Sequence, residues 1–211
     1  QRLATAMVDV GLAEAMPYGH LRLDPALPDY LLARMDAAEL PSLTACWAAG
    51  MRALTRYLYK QNFQEAQLAA QLTLLELPNL LAMLAWAAGE LPPEEVVDLA
   101  NRVETLLAFL GRPQAMAQAV SVRAAAARRL VGWTHAQFLN ADRNIDRLLE
   151  QGDLPAAYAA AQQLLERCLS AGDGAYPDAA YHIAVAHSKL GRVLLISGAA
   201  EQAAVFLKEA H

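Results

Sequence analysis

The sequence predicts an all-α protein, and three of its properties support this prediction. About two in five of its 211 residues are Ala or Leu, which are strong helix formers. Its β-branched and turn residues, including 11 Gly and 10 Pro, are too few for an all-β domain. An apolar fraction of 56% with only 18% charged residues excludes a disordered chain. The length fits one large domain or an array of repeats.

The first forty residues carry signals for two short helices and a strand. Residues 1–17 have apolar side chains at helical spacing, which predicts a helix that continues toward residue 17. Leu21 and Leu23 then alternate with polar residues, which is the period of a short, half-buried strand. Asp24 and Pro25 begin a second short helix, because a capping carboxylate followed by proline is typical of a helix start.

The rest of the chain, from Pro41 onward, is predicted to be helical. Pro78 is expected to break one helix, because proline cannot donate a backbone hydrogen bond. Two interpretations remain open around Gly132. Either Thr134 caps a new helix after a break, or one helix continues through the glycine at a cost of about 1 kcal/mol. The predicted helices span residues 42–60, 63–75, 79–88, 93–110, 113–130, 134–151, 153–171, 177–197 and 199–210.

The last two predicted helices carry small and large residues at fixed offsets. Gly191 and Ala203 would let two antiparallel helices approach closely, and Gly198 would lie in the turn between them. These offsets are similar to those of tetratricopeptide repeats, with weaker traces in residues 57–70, 92–103 and 148–164. They predict an irregular, right-handed α-solenoid of antiparallel helix pairs rather than a compact bundle. The matching residues are Leu190, Gly191, Leu194, Gly198, Ala203, Leu207 and Ala210.

Two stretches near the N-terminus, residues 10–14 and 18–31, resemble the end of a winged-helix domain. A helix is followed there by a short β-wing and by a helix that leads into the repeats. This order resembles the tail of the NB-ARC-type signalling ATPases of the STAND class. The resemblance implies a winged-helix-like remnant with a short β-hairpin in residues 1–40 and tetratricopeptide-like repeats in residues 41–211. It also implies that the repeats receive a protein or ligand and relieve autoinhibition of a parent ATP- or GTP-binding protein.

The motifs of nucleotide chemistry are missing from the sequence. It has no phosphate-binding loop of the form G-x-x-x-x-G-K-[ST], and no G-x-G-x-x-G follows a predicted strand. We therefore predict that this segment binds no cofactor and has no catalytic activity of its own.

Two sets of residues are predicted to contact a partner. In a solenoid, the first helix of each pair lines the concave surface, which is the usual binding face. Four arginines form a separate basic concentration. This concentration is either a docking patch or an ordinary solvated helix face. As a docking patch, it would bind an acidic partner or the parent's own ATPase module. The concave set is Thr55, Tyr59, Asp142, Asp146, Ser188 and Arg192, and the basic set is Arg112, Arg123, Arg128 and Arg129.

The histidines and acidic residues favour structural roles over catalysis. His182 and His187 are five residues apart and do not share a helix face, so we predict no metal site. Asp142 and Asp146 share a face near His135, and we interpret them as an ion-pair face with neighbouring arginines. A general acid–base role would need a pocket that separates two pKa values.

Charge, cysteine content and hydropathy bear on partners and compartment. A net charge of −5 argues against nucleic acid as a partner of this segment. Two widely separated cysteines, Cys46 and Cys168, favour a reducing cytoplasm and roles as small apolar residues. The longest apolar run, residues 80–88, is too short to span a bilayer, so no membrane contact is expected. The chain begins and ends inside helical patterns without a leader signal. We interpret it as part of a longer protein whose open apolar ends favour homo-oligomers.

Three functions are consistent with these observations. The first is a non-catalytic protein-interaction or sensor segment of a multidomain signalling ATPase. The second is a free-standing adaptor or scaffold that binds peptides. The third is an α-helical enzyme for small molecules that uses the region of His135 and Asp142, which predicts a deep pocket with shifted pKa values there. A phosphate-binding loop encoded upstream of Gln1 would distinguish the first function from the second.

Overall fold

A computed structural model describes residues 2–210, and this part of the chain is mainly helical. It contains ten α-helices and one two-stranded antiparallel sheet, which confirms the predicted all-α fold with a short β-hairpin. The elements are α1 (Arg2–Asp9), β1 (Ala13–Ala15), β2 (Leu21–Leu23), α2 (Ala26–Leu32), α3 (Leu40–Gln61), α4 (Ala66–Glu90), α5 (Pro93–Leu107), α6 (Pro113–Ala127), α7 (His135–Glu150), α8 (Leu154–Ala171), α9 (Ala179–Ile196) and α10 (Ala200–Glu209).

Contacts between residues divide the chain into two units, residues 1–49 and residues 50–211. The helix α3 begins in the first unit and ends in the second. The predicted boundary after residue 40 lies at the start of α3 rather than at this division.

The first unit contains the β-hairpin, in which Ala13 of β1 pairs with Leu23 of β2. The strand predicted at Leu21 and Leu23 is therefore confirmed, whereas the helix predicted to continue toward residue 17 is wrong. Gly11 ends the helical stretch with a φ of +76°, a left-handed conformation that glycine adopts without steric cost. The backbone that follows can then turn into β1.

The helix α4 runs without interruption through Pro78, so the predicted break at this proline is wrong. Residues are buried both before and after it, with Ala69 and Thr73 on one side and Leu80 and Leu84 on the other. Each buried leucine contributes about 1.5–3 kcal/mol to stability. Together these contacts outweigh the roughly 3 kcal/mol that a proline inside a helix costs.

The helix α4 is also long and apolar enough to cross a membrane, by length and composition only. Its most apolar 18-residue window has a mean hydropathy of 1.5, and 33% of that window is buried. The core helix of a soluble protein passes the same test. The expectation that no segment contacts a membrane stays a prediction.

The second unit is a stack of helices in two layers. From α4 to α10, each helix packs against the next in sequence, apart from a smaller contact between α6 and α7. Contacts between alternate helices join α5, α7 and α9 into one layer, and α4 packs against α6 in the other. Two clusters of buried apolar side chains fill the space between the helices. Leu80 and Val103 belong to the cluster of α3–α6, and Ile145 and Leu164 belong to that of α7–α10.

The chain breaks between α6 and α7, so residues 113–151 form two helices. Gly132 has a φ of +77°, and Thr134 caps α7 by accepting a hydrogen bond from the backbone N–H of Gln137 at 3.3 Å. The alternative with a break and a capping threonine is therefore confirmed. Satisfying one of the free N–H groups at a helix start in this way contributes about 1 kcal/mol.

The close approach predicted at Gly191 is confirmed. A Cβ atom placed on Gly191 would lie 2.7 Å from Cγ of Leu207 and 3.4 Å from the carbonyl oxygen of Ala203. The missing side chain therefore allows α9 and α10 to pack directly against each other. Gly198, in the turn between them, has the expected positive φ of +84°.

Candidate functional site

The most distinctive surface feature of the second unit is a groove between α6 and α8, with α7 as its floor. It has a volume of about 560 Å³, and we call it the arginine groove because Arg123, Arg128, Arg147 and Arg167 line it. No Asp or Glu is found among the described residues of its lining. The remaining polar residues of the lining are the neutral amides Asn140, Asn144 and Gln163.

Three of the four arginines have exposed side chains, and the described lining of the groove places no carboxylate beside them. Arg128 is the C-cap residue of α6, where its backbone N–H bonds to the carbonyl oxygens of Ala124 and Ala126. Arg147 donates hydrogen bonds to the side-chain oxygens of Asn144 at 2.9 Å and Gln151 at 3.5 Å. The guanidinium carbon of Arg167 lies 5.8 Å from the centre of the Trp133 ring. The contacts of Arg147 and Arg167 are to neutral groups, so they orient these two guanidinium groups without compensating their positive charges.

The fourth arginine, Arg123 of α6, also lines the groove but is only 4% exposed. Its Nε donates a hydrogen bond to Oε1 of Glu104 at 2.6 Å, and its Nη1 donates to Oδ1 of Asn140, also at 2.6 Å. Glu104 of α5 therefore neutralises this charge. The prediction that Arg123 belongs to an exposed basic patch is wrong, because its ion-pair partner lies on another helix.

The other members of the predicted basic set lie apart from each other. Arg112 lines a different cavity, beside Leu77 and Gln118. Arg129 is exposed, and its Nη1 donates a hydrogen bond to the carbonyl oxygen of Ala88, near the end of α4, at 3.2 Å. Arg123 and Arg128 are thus the only two residues of that set that line the arginine groove.

Sequence reasoning missed the two other arginines of the groove, Arg147 and Arg167. One signal was present, because Asn140, Asn144 and Arg147 follow each other at intervals of four and three residues. These intervals place neutral and basic side chains on one face of α7. The position of Arg167 opposite this face depends on how α8 packs, which spacing within one helix does not reveal.

The prediction that Thr55 contacts a partner is wrong, because its side chain is fully buried. Its Oγ1 donates a hydrogen bond to the carbonyl oxygen of Met51 at 2.8 Å. Tyr59 is half-buried, and its ring lies edge-on to Phe63 with 5.2 Å between centroids. The guanidinium group of Arg102 lies 5.4 Å from the centre of the Tyr59 ring.

The four remaining residues of the predicted concave set lie at the contact between α7 and α9. Nζ of Lys189 is 2.8 Å from Oδ1 of Asp142 and 2.9 Å from Oδ1 of Asp146. Nη1 of Arg192 is 3.4 Å from the same Asp146 atom, and Ser188 is exposed beside it. The two carboxylates do share a face, as predicted, but their partners come from α9 rather than from α7.

The two neighbouring arginines expected to pair with these carboxylates, Arg143 and Arg147, bond elsewhere, and Arg143 turns toward α5. Its Nε donates a hydrogen bond to Oδ1 of Asn101 at 2.5 Å, and its Nη2 donates to Oγ1 of Thr105 at 2.6 Å. Polar contacts therefore join α7 to α5 on one side and to α9 on the other.

A cluster of aromatic and titratable side chains joins the start of α7 to the start of α9. The ring of His182 stacks on Phe138 with 4.0 Å between centroids and 14° between planes. Its Nδ1 lies 3.1 Å from the hydroxyl oxygen of Tyr176, and its centroid is 4.9 Å from that of His135. Burial lowers the pKa of His182, and the neighbouring His135 lowers it further, whereas the carboxylate of Asp178 acts in the opposite direction.

The same cluster contains a thiol and a phenol that stay protonated at neutral pH. Burial raises the pKa of Cys168 from 9.0 to about 11 and that of Tyr176 from 10.0 to about 12. Cys168 is 3% exposed and fills the role of a small apolar residue, as predicted, whereas Cys46 is exposed.

We expect the protein to lose stability as the pH falls below about 6.5, the ordinary pKa of histidine. His182 stays neutral in the folded state because its pKa is lowered, while the unfolded chain takes up a proton. Urea unfolding at pH 7.5 and 5.5 measures this loss, which His182→Gln should reduce. In an NMR titration, His135→Gln should raise the pKa of His182, because it removes a neighbouring positive charge. A His182 pKa at or above 6.5 in the wild-type protein would contradict the prediction.

Neither His135 nor Asp142 lines any of the main cavities of the described residues. His135 is exposed and faces the aromatic cluster, whereas Asp142 is paired with Lys189. Within residues 2–210, no three side chains of His, Cys, Asp or Glu are grouped so that they could hold a metal ion. The arginine groove is therefore the surface with the most specific chemistry, because guanidinium groups without an acidic partner can bind anionic groups.

Comparisons with known proteins add no relative to this description. The chain matches no family model, no curated protein and no solved structure at a significant level. The interpretation of the arginine groove therefore rests on its geometry and charge.

Proposed function

We propose that this chain is a non-catalytic protein-interaction segment and that its arginine groove binds an acidic stretch of a partner protein. The observation that carries this proposal is the uncompensated positive charge of Arg128, Arg147 and Arg167 around one cavity. Guanidinium groups bind carboxylates through charge-assisted hydrogen bonds, often two at a time. Gln163 adds a neutral donor and acceptor that suit the backbone of a bound chain, and Asn140, whose Oδ1 accepts from Arg123, adds the N–H donors of its amide.

The charge of the whole chain favours a protein partner over a nucleic acid. A nucleic acid carries negative charge over a long distance, and the net charge of −5 would repel it outside the groove. A short acidic stretch places its charge only where the arginines lie. The groove therefore suits a local acidic motif.

We also propose that this chain is part of a STAND-type signalling ATPase, as the sequence resemblance implies. A β-hairpin and short helix followed by stacked helices is the order expected for the end of a winged helix and a sensor array of a STAND-type ATPase in the cytoplasm. The acidic partner is then either another protein or the parent's own ATPase module. The groove is lined by α6, α7 and α8 in similar shares, and none of the residues proposed from sequence for the concave face lines it, so this site differs from that face.

Fluorescence anisotropy with a labelled, end-capped hexaglutamate peptide tests the proposal. We expect Arg128→Glu/Arg147→Glu to weaken binding at least about tenfold, because two favourable charge pairs become repulsive. Hexaglutamine is expected not to bind, and added salt should weaken the binding of hexaglutamate.

The matched control is Arg34→Glu/Arg112→Glu. It changes the net charge by the same amount at two exposed arginines outside the groove. We expect its affinity for hexaglutamate to stay close to that of the wild-type protein. Equal losses in both double variants, or equal binding of the two peptides, would refute a specific groove.

A further inference from the structure

We infer that the partner's segment is an extended chain of two parts, with acidic residues in the arginine groove and an uncharged aromatic residue beside Trp133. This inference rests on the proposed function and specifies the ligand of the same site. It is carried by a second cavity that continues the groove along α8, by the single carboxylate in that cavity, and by the exposed part of the Trp133 side chain.

The second cavity has a volume of about 610 Å³, and we call it the tryptophan cavity. Gln163 and Arg167 line both this cavity and the arginine groove, so the two form one continuous surface. Both volumes lie in the range of about 300–1,000 Å³ that is typical of ligand sites. The side chains that the argument uses are Trp133, Gln137, Gln163, Glu166, Arg167 and Ser170.

The length of this surface sets the size of the ligand. It follows α8 from Ala160 to Ala171, which is eleven steps along the helix (171 − 160). At 1.5 Å per residue, this distance is about 17 Å. An extended peptide rises about 3.3 Å per residue, so about five residues of it fit the surface. One small anion would leave most of this length unfilled.

Charge determines which part of the peptide lies in which cavity. Glu166 is the one carboxylate among the described residues that line either cavity, and it belongs to the tryptophan cavity. It repels an acidic side chain there, whereas Arg128 and Arg147 attract acidic side chains into the arginine groove, whose described lining has no carboxylate. Arg167 stands between the two parts. The acidic residues of the ligand are therefore held in the arginine groove.

The Trp133 side chain gives the second part its preference for aromatic residues. It is only half-buried, and the guanidinium group of Arg167 is 5.8 Å from its ring centre. An aromatic side chain placed there contacts both the indole and the planar guanidinium group. The hydroxyl of Ser170 is available to the backbone of the ligand, and so is the side-chain oxygen of Gln137, whose Nε2 donates to the carbonyl oxygen of Leu130 at 3.4 Å.

Four labelled, end-capped peptides test this inference by fluorescence anisotropy. They are Glu-Glu-Glu-Gly-Phe, its reverse Phe-Gly-Glu-Glu-Glu, and two peptides in which Gly or Glu replaces Phe in the first sequence. Both directions of the Phe peptide are included because the surface can accept a chain in either direction. We expect the better Phe peptide to bind about three- to tenfold more tightly than the Gly peptide. The peptide that ends in Glu should bind more weakly than the Gly peptide.

Two variants assign these differences to the tryptophan cavity. Trp133→Ala should remove the advantage of Phe, and Glu166→Gln, a change at an exposed side chain, should remove the penalty for the terminal Glu. Circular dichroism checks that Trp133→Ala is folded. If this variant is unfolded, the loss of the penalty for the terminal Glu in Glu166→Gln still tests the inference. If all four peptides bind equally and Arg128→Glu/Arg147→Glu abolishes binding, this inference fails while the proposed function stands. If none of the peptides binds, both fail.

Discussion

Replacing Arg123 with methionine is expected to lower the free energy of unfolding by about 3–5 kcal/mol. The side chains of Arg123 and Glu104 are only 4% and 8% exposed, so the variant leaves a carboxylate buried without its positive partner. Asn140 loses its hydrogen bond to Nη1 at the same time. Urea unfolding followed by circular dichroism measures the change. The pair joins α5 to α6, so the whole second unit should be destabilised.

A double variant separates the cost of an unpaired charge from the contribution of the pair. Arg123→Met/Glu104→Leu removes both charges and should recover most of the stability, because apolar residues of similar volume often replace a buried ion pair without loss. The partly exposed pair of Arg102 and Asp98, four residues apart on α5, provides the control, and Arg102→Met should cost less than about 1 kcal/mol. If Arg123→Met costs no more than Arg102→Met, Arg123 is not buried as described.

Replacing Gly191 with alanine is expected to lower the free energy of unfolding by about 1–3 kcal/mol. The added Cβ would lie 2.7 Å from Cγ of Leu207, and that atom is near the middle of a packed side chain. The helices must therefore move apart or Leu207 must leave its rotamer. This cost exceeds the gain of up to about 1 kcal/mol that alanine brings to a helix interior. Thermal or urea unfolding measures the net effect.

Gly50 is the matched control, because it is also a helical glycine but has no atom within 4 Å of an added Cβ. Gly50→Ala should therefore stabilise the protein by about 0.5–1 kcal/mol. In a background with Leu207→Ala, the penalty of Gly191→Ala should become smaller, because the obstructing atoms are gone. A stabilising effect of Gly191→Ala in the wild-type background would show that α9 and α10 are not in close contact.

Local features of the fold were largely predictable because they depend on neighbouring residues in the sequence. Ala and Leu content predicts the helices, and Thr134 marks the start of α7 through a hydrogen bond that spans only three residues. The strand at Leu21–Leu23 follows from a period of two. Pro78 misled the prediction because burial of α4 on both sides of it outweighs the local cost, and burial depends on other helices.

The site was less predictable because its residues come from three helices. Arg123 and Arg128 were found from their sequence neighbourhood, but nothing in that neighbourhood shows that Glu104, nineteen positions away, buries and neutralises one of them. Arg147 and Arg167 are far apart in the sequence. They line the same groove only because α6 and α8 leave part of α7 uncovered. Spacing within one helix identifies its faces, but it does not identify the opposing side chains.

The polar contacts of α7 have a consequence for how the stack of helices unfolds. In a linear stack, stability is a sum of local terms, and helix pairs at the ends can fray independently. Arg143 bonds to Asn101 of α5, while Asp142 and Asp146 hold Lys189 of α9. Opening one pair of helices would therefore leave charged groups on the next pair without their partners. This linkage raises the cooperativity of unfolding, so that α5 to α9 are lost as one block rather than one pair at a time.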